Sequence, residues 1–219
     1  MQFVTSYSGG KDGALALCRM IDEGHRPVAL ITTVNAAQAR SWFHGIREEL
    51  MCAVSRSMDI PILFCRCGPD NYVQAFEQSL DEARQMGAEA CVFGDIDIAD
   101  HRAWNETRCA NAGLEPVLPL WQADRESLVR ELIDRGFRAL IKTVSDSLDA
   151  SFLGQDLTLP LLDELKAAGA CPCGENGEYH TFVYDGPIFA HPIAFTRGEI
   201  FDFGTHKALD IKTGSETIL

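Results

Sequence analysis

Short apolar runs alternate with stretches of helical periodicity along the first 120 residues of the chain. The apolar runs are rich in Val, Ile and Phe and are bounded by Gly, Pro or polar residues, which is typical of buried strands. They lie at residues 2–7, 28–34, 60–65, 90–93 and 115–120. Between them apolar residues recur every three or four positions, as Ala14, Leu17 and Ile21 do, and this period predicts helices.

The alternation predicts an α/β fold with a Rossmann-like parallel sheet of five strands, covered by helices on both faces because right-handed crossovers place them there. The pattern changes beyond Trp121. A helix near residues 128–133, a strand at 139–144, a polar loop at 145–156 and a helix capped by Thr158 are followed by short strands at 179–184, 193–196 and 199–203. We therefore expect two units, residues 1–120 and a smaller C-terminal α+β unit at 121–219.

The first strand meets the first helix at the glycine-rich segment Ser8-Gly9-Gly10-Lys11-Asp12-Gly13. Glycines let backbone N–H groups approach an anion closely, the positive end of the helix dipole favours negative charge, and Lys11 adds a full charge. The segment is predicted to bind the phosphates of a nucleotide. An ordinary strand-to-helix turn is the alternative, and the spacing matches neither Walker A nor the dinucleotide fingerprint.

Ligands of parallel α/β sheets bind beyond the carboxyl ends of the strands. Thr33, His44 and the pair Gly94-Asp95 lie at such ends in the predicted order of elements. We expect them to line the same site as the glycine-rich segment. A single histidine such as His44 is more often structural than catalytic, and that alternative stays open.

A second concentration of reactive side chains lies at residues 171–187, CPCGENGEYHTFVYDGP. At alternating strand positions Glu178 and His180 would face the same side, and Glu175 could approach from the loop. Such a cluster could bind a cation or an amine, or transfer protons. The alternative is a polar hairpin, because Asn-Gly is a strong turn former.

Charge and composition narrow the classes of ligand and location. The chain of 219 residues is 46% hydrophobic, which suffices for a core, and its net charge is -13. The negative charge opposes binding to extended nucleic acid and would repel a nucleotide, so we expect a divalent cation such as Mg²⁺ with the phosphates. No apolar run approaches the roughly 20 residues that span a bilayer, and the first residues lack the charged-then-apolar pattern typical of a signal peptide. We expect a cytoplasmic protein that does not bind membranes.

The eight cysteines are scattered along the chain without a secretory signal, so we expect most of them to be reduced and buried. Two Cys-x-Cys pairs stand out, Cys65 with Cys67 and Cys171 with Cys173. These four thiols could converge on one tetrahedral metal ion, although zinc sites more commonly use Cys-x-x-Cys.

Seven segments occur in the order SGGKD, FHG, VFGDI, DHRAWNE, PLW, SFLG and CGENGEYHTFVYDGPIF. Together they resemble the diphthine–ammonia ligase family of ATP pyrophosphatases, which includes many relatives of unassigned substrate. The segments span nearly the whole chain, and the last is the most specific to the family. The resemblance implies a nucleotide-binding domain of the PP-loop type at 1–120, a substrate-binding domain at 121–219, and motifs that meet at the cleft.

The resemblance also implies a reaction in which ATP adenylates a substrate carboxylate, releasing pyrophosphate, and ammonia then displaces AMP to leave an amide. The partners would be ATP, Mg²⁺, ammonia and a carboxylate acceptor, which in the family is a modified histidine on translation elongation factor 2; a homo-oligomer stays open. The implied phosphate-binding residues are Ser8, Gly9, Gly10, Lys11, Asp12 and Gly13, with Asp12 acting through Mg²⁺. Thr33 would line the adenine side, and the implied ligands of acceptor, ammonia or metal are Asp95, Glu175, Glu178 and His180.

Gly13 departs from the family pattern, which usually reads SGGKDS, and the change removes a hydroxyl that could contact phosphate. Two rival functions follow. A different ATP pyrophosphatase, such as a tRNA-thiolating enzyme, would show a basic face and a reactive cysteine pair, and the acidic charge argues against it. A nucleotide-binding sensor without turnover is the second rival, and Gly13 is the feature that supports it.

Overall fold

A computed structural model of the chain describes residues 1–42 and 44–214. Phe43 of the FHG segment and residues 215–219, the end of the expected C-terminal unit, lie outside the described residues.

Five parallel strands form the sheet of the N-terminal unit, and a short sixth strand pairs antiparallel with the end of one of them. In chain order the strands are β1 (Gln2–Ser6), β2 (Arg26–Asn35), the short β3 (Arg40–Ser41), β4 (Ile62–Cys67), β5 (Ala90–Val92) and β6 (Glu115–Val117). The parallel strands lie side by side in the order β4-β2-β1-β5-β6. The order reverses between β1 and β5, which is where a doubly wound sheet opens a crevice at its carboxyl edge.

Helices cover both faces of this sheet, and the predicted α/β class is confirmed. They are α1 (Lys11–Asp22), α2 (Glu48–Met58), α3 (Tyr72–Gln85) and α4 (Ala99–Ala112). Leu17 of α1 and Leu50 of α2 belong to one buried apolar cluster, whereas Leu80 of α3 and Cys109 of α4 belong to another. The two clusters lie on opposite faces because alternate residues of a strand point to opposite sides.

The C-terminal unit is an antiparallel sheet with two helices. Its elements are α5 (Arg125–Asp134), β7 (Arg138–Ser145), α6 (Leu159–Ala167), β8 (Tyr179–Asp185), β9 (Phe195–Asp202) and β10 (His206–Thr213), and the strand order is β8-β7-β10-β9. Thr158 caps α6 as predicted, since its hydroxyl oxygen accepts the N–H of Leu161 at 3.3 Å. Leu17 and Phe182 share one apolar cluster, so the two units pack on a common core; their division at residue 120 stays a prediction.

Two strand predictions in the C-terminal unit are wrong. The sequence pattern predicts separate strands at 193–196 and 199–203, but β9 runs unbroken from Phe195 to Asp202, and the pattern does not predict β10. Nearly all of β9 is exposed, so no apolar alternation marks it in the sequence. Gly198 lies inside β9, where a Cβ would come within 3.3 Å of the Cβ of Asp210 on β10. Strand β9 therefore forms because it pairs with β10, and its own side-chain pattern does not indicate a strand.

The four thiols of the two Cys-x-Cys pairs do not converge on one metal ion, so that alternative is wrong. Cys65 and Cys67 lie in one apolar cluster, and Cys171 and Cys173 lie in the other. All eight cysteines are free, and most of them are buried. Within residues 1–42 and 44–214, no three His, Cys, Asp or Glu side chains group closely enough to hold a metal ion by themselves. The helices of that same part of the chain include none with the length and apolar character needed to cross a membrane.

Candidate functional site

A cavity of about 490 Å³ opens at the carboxyl edge of the parallel sheet and is bordered on its other side by the loop before β8. Most of the residues predicted for the nucleotide and for the acceptor, ammonia or metal line it. They are Ser8, Gly10, Lys11, Asp12, Gly13, Thr33, His44, Gly94, Asp95, Glu175 and His180. Gly9 and Glu178, also predicted, are not among the lining residues.

Three glycines of the site are required by close packing. A Cβ on Gly10 would lie 2.3 Å from Cε1 of His44, and one on Gly9, whose φ is +87°, would lie 2.5 Å from Cδ1 of Ile46. A Cβ on Gly94 would lie 2.7 Å from the backbone N of Gly13. Side chains at these positions would therefore push the glycine-rich segment away from its supports.

Strand β8 of the C-terminal unit holds the glycine-rich segment in place. The N–H of Lys11 donates a hydrogen bond to Oγ1 of Thr181 at 3.0 Å, and the N–H of Val183 donates to the carbonyl of Gly9 at 2.8 Å. The first N–H of α1 is thus capped from the other unit. The N–H groups of Asp12 and Gly13 have no hydrogen-bond partner among the described residues, and an unsatisfied helix N-terminus of this kind suits an anion.

The side chain of Lys11 is buried and joins the two units. Its ammonium group donates a hydrogen bond to Oδ2 of Asp12 at 2.8 Å and another to the backbone carbonyl of Cys173. Burial is the largest single effect and lowers the pKa of Lys11, but the charge of Asp12, the neighbouring Tyr179 and Cys173 and the hydrogen bond to Asp12 together outweigh burial, and the pKa lies above its ordinary value. Lys11 therefore carries a permanent positive charge at the wall of the cavity.

Carboxylates concentrate on one side of the cavity. Burial, with the neighbouring charges of Asp12 and Asp95, raises the pKa of Glu175 to about 7, although Lys11 acts in the opposite direction. Asp95 is oriented by α4, because its two oxygens contact Nδ2 of Asn105 at 2.7 Å and Nδ1 of His101 at 3.1 Å. Such a concentration of oxygen ligands fits a hard cation that arrives with the phosphates, since Mg²⁺ commonly uses one or two protein carboxylates.

Glu178 organises the loop between α6 and β8. Its carboxylate accepts the N–H of Cys171 at 2.9 Å and the N–H of Asn176 at 3.1 Å. Burial alone would raise the pKa of Glu178, but these hydrogen bonds outweigh it and hold the pKa below its ordinary value. The expectation that Glu178 and His180 face the same side of a strand is wrong, because β8 begins only at Tyr179 and Glu178 turns back onto its loop.

Two neutral histidines stand side by side at the cavity wall. The ring centroids of His44 and His180 are 4.9 Å apart. Burial and the neighbouring His180 hold the pKa of His44 well below its ordinary value, and burial with the charge of Lys11 lowers the pKa of His180 to about 4. Because Nδ1 of His44 lies 2.8 Å from the carbonyl of Thr181, its proton sits on Nδ1 and leaves Nε2 as an acceptor.

Sequence reasoning missed the apolar half of the cavity. Tyr72 and Phe76 of α3, Phe93 after β5, and Trp104 of α4 line it. The ring of Trp104 lies 5.0 Å from that of Phe76 and 6.1 Å from that of Tyr72. These aromatic faces suit a flat purine ring. The available signal is the group of aromatic residues on α3 and α4, but local periodicity does not show which end of a helix meets a cleft.

Both units of the chain match sequence models of a known protein family. The sequence model of the diphthamide synthase N-terminal domain matches residues 1–116, and that of the diphthamide synthase C-terminal domain matches residues 124–217.

Individual proteins are similar over most of the chain. The diphthine–ammonia ligase of Rattus norvegicus is 29% identical over 225 residues, which covers 91% of this chain and 84% of that protein. The Homo sapiens protein of the same name is 29% identical and covers 91% of this chain and 85% of its own length. A solved structure described as a predicted subunit of tRNA methyltransferase from Methanocaldococcus jannaschii shares 16% identity at a TM-score of 0.46, covering 84% of this chain and 96% of that one.

Proposed function

The chain belongs to the diphthamide synthase family, and we propose that it is an ATP-dependent ligase that converts a carboxylate into an amide with ammonia. The observation that carries the proposal is the hydrogen bonding of Lys11 to both Thr181 and Cys173. These bonds bring the glycine-rich segment and the CGENGEYHTF segment to opposite sides of one cavity. The diphthine–ammonia ligases that resemble the chain support the same reaction.

In the first step a carboxylate oxygen of the acceptor attacks the α-phosphorus of ATP. The bond from that phosphorus to the bridging oxygen breaks, and pyrophosphate leaves with the electron pair. The free N–H groups of Asp12 and Gly13 and the charge of Lys11 are placed to stabilise the charge that grows on the pyrophosphate. Asp12 would hold Mg²⁺ together with the phosphates, and the ion would supply further charge neutralisation.

In the second step the nitrogen of ammonia attacks the carbonyl carbon of the acyl adenylate. The bond from carbon to the AMP oxygen breaks, AMP leaves with the electron pair, and the nitrogen loses one proton. Glu175 is the base we assign to that proton, because a carboxylate with a pKa of about 7 is matched to proton transfer near neutral pH. His180 and Asp95 face the same volume and would orient the acceptor and ammonia.

The acceptor we propose is the carboxylate of diphthine on translation elongation factor 2, since the similar proteins are named for diphthine. ATP and that factor share the cytoplasm, where we place this protein. The test is to incubate the purified chain with α-labelled ATP, Mg²⁺, ammonium and diphthine-bearing elongation factor 2. AMP and pyrophosphate should form in equal amounts, and the acceptor should lose a hydroxyl and gain an amino group by mass spectrometry.

The controls separate the rival functions. An elongation factor whose diphthine is already amidated should give no AMP. If AMP forms only with tRNA and a sulfur donor, a thiolating enzyme replaces the ligase. If ATP binds and neither AMP nor pyrophosphate forms with any carboxylate offered, the ligase proposal fails and the sensor is favoured.

A further inference from the structure

A second cavity of about 420 Å³ lies behind the nucleotide cavity. His44 and His180 line both cavities, so their two imidazole rings form a common wall. The far side of the second cavity is made by β10 and by the end of β9, with Phe203 at its mouth, where that side chain is 61% exposed. The cavity thus opens to solvent on one side and adjoins the nucleotide cavity across the two imidazole rings on the other.

Lys142 of β7 reaches into this second cavity. The residue is only 1% exposed, and its ammonium group has no hydrogen-bond or ion-pair partner among the described residues. Gly45 leaves room for it, since a Cβ there would lie 3.7 Å from Nζ of Lys142. Burial, with the charge of Arg40, lowers the pKa of Lys142 to about 8. A buried cation without a partner costs free energy that a bound anion would recover.

The surroundings of Lys142 are positive, although the chain as a whole is negative at -13. Arg40 also lines the cavity, and the described lining residues include no Asp or Glu. Asp210, the buried acid whose charge acts on Lys142, is already paired with Arg40 at 3.0 Å and Arg47 at 2.9 Å, and Lys212 lies 3.9 Å from it. Two arginines against one aspartate leave a surplus of positive charge beside the unpaired lysine.

We propose that the second cavity binds the carboxylate group of the acceptor and that Lys142 and Arg40 contact this carboxylate. The acceptor would meet the nucleotide at the His44–His180 wall. This inference rests on the proposed ligase function. The exposed ring of Phe203, together with Trp42 and Phe201 on the lining, would contact the apolar part of the acceptor. A phosphate-bearing acceptor is the competing occupant that the test distinguishes.

The binding site can be tested without turnover. The chain has five lysines, at positions 11, 142, 166, 207 and 212, so lysine labelled with ¹³C at Cε gives few NMR signals, and Lys142→Met assigns one of them. Titration with glutarate at constant ionic strength should shift the Lys142 signal, whereas ATP should shift the signal of Lys11. The proposal is overturned if glutarate leaves the Lys142 signal in place, or if inorganic phosphate shifts it at lower concentration than glutarate does.

Kinetics with diphthine-bearing elongation factor 2 give the second readout. Lys142→Met should raise the KM for the acceptor by about tenfold, the cost of one charged hydrogen bond, while the Kd for ATP stays unchanged. Arg40→Gln, at the rim of the cavity, should act in the same direction and serves if Lys142→Met does not fold. Lys166→Met, which removes a distant exposed charge, is the matched control.

The inference is overturned if Lys142→Met and Arg40→Gln both keep the wild-type KM for the acceptor. A wild-type protein that shows no ligase activity would instead contradict the proposed function, and the NMR titration would still decide whether the cavity binds carboxylates.

Discussion

The N–H of Lys11 donates a hydrogen bond to Oγ1 of Thr181 at 3.0 Å, so a side chain of the C-terminal unit caps the first helix of the N-terminal unit. Thr181→Val keeps the shape of the side chain and removes the acceptor. We expect a loss of about 1–2 kcal/mol in the free energy of unfolding, because the buried N–H is left without a partner. ATP affinity should fall as well, since the cap positions the glycine-rich segment.

Urea denaturation and calorimetric titration with ATP measure the two effects of Thr181→Val. Thr107→Val, on the exposed part of α4, is the matched control and should change neither. If Thr181→Val keeps the wild-type free energy of unfolding and ATP affinity, the hydrogen bond from Lys11 to Thr181 contributes to neither.

Lys11→Met should destabilise the fold and weaken ATP binding together. The residue is 4% exposed, and its ammonium group donates hydrogen bonds to Asp12 and to the carbonyl of Cys173, so its removal leaves a carboxylate and a carbonyl without their partner. We expect a cost of about 3 kcal/mol in the free energy of unfolding. Chemical denaturation and a binding isotherm check this, with Lys166→Met as an exposed control; a Lys11→Met protein that binds ATP normally would remove Lys11 from the site.

Gly13→Ser restores the residue that the family pattern usually carries, and the structure has room for it. A Cβ on Gly13 would lie 3.4 Å from the nearest atom, Cδ2 of Tyr7, which is ordinary contact. An added hydroxyl that donates to the pyrophosphate in the transition state should raise kcat by about fivefold. Gly13→Ala adds the Cβ without the hydroxyl, and equal rates for the two variants would show that the hydroxyl contributes nothing.

Glu175 should make both stability and activity depend on pH. Its pKa rises from the ordinary 4.5 to about 7 in the folded chain, so the folded state holds the proton more tightly than the unfolded state. Stability therefore falls as pH rises from about 4.5 to about 7 and levels off above that. Glu175→Gln should be more stable than wild type above pH 7 and equal to it below pH 4.

The same residue predicts the pH profile of the reaction. If Glu175 accepts the proton from nitrogen, kcat should rise with pH along a limb centred near 7. That limb should be absent in Glu175→Gln, and thermal melts of the two proteins should differ only at higher pH. A Glu175→Gln protein that keeps the wild-type limb would assign the proton transfer to another group.

Glu178→Gln should impair product formation and leave ATP binding intact. The carboxylate accepts two backbone N–H groups of the loop that carries Glu175, and an amide would place an NH₂ group against one of them. We expect a lower kcat with an unchanged Kd for ATP, measured by amide formation and by titration. Glu164→Gln, on the exposed face of α6, is the control; full activity in Glu178→Gln would limit this glutamate to a structural role.

The acid range provides a further check on Glu178. Because its pKa is held below the ordinary value, its stabilising effect is present above that value and is lost as pH falls through the lowered pKa. The difference in stability between wild type and Glu178→Gln should therefore shrink on acidification.

The sequence alone determined the class of the N-terminal sheet and most of the predicted residues that line the cavity at its carboxyl edge. Buried strands and amphipathic helices leave a local period in the sequence, and Gly10, Lys11 and Asp95 follow strands whose carboxyl ends must share one edge. The roles of the individual site residues and the boundary at residue 120 stay predictions.

Only the tertiary structure shows which residues join distant parts of the chain. Lys11 and Thr181 are 170 positions apart, and nothing local to either one indicates a helix cap. The exposed strand β9 exists because β10 pairs with it. The sequence around Lys142 is typical of an apolar core strand, and only the surrounding fold shows that a cavity lies beside this lysine. Local patterns record which faces are buried, whereas the partner of each buried polar group depends on how separate elements pack together.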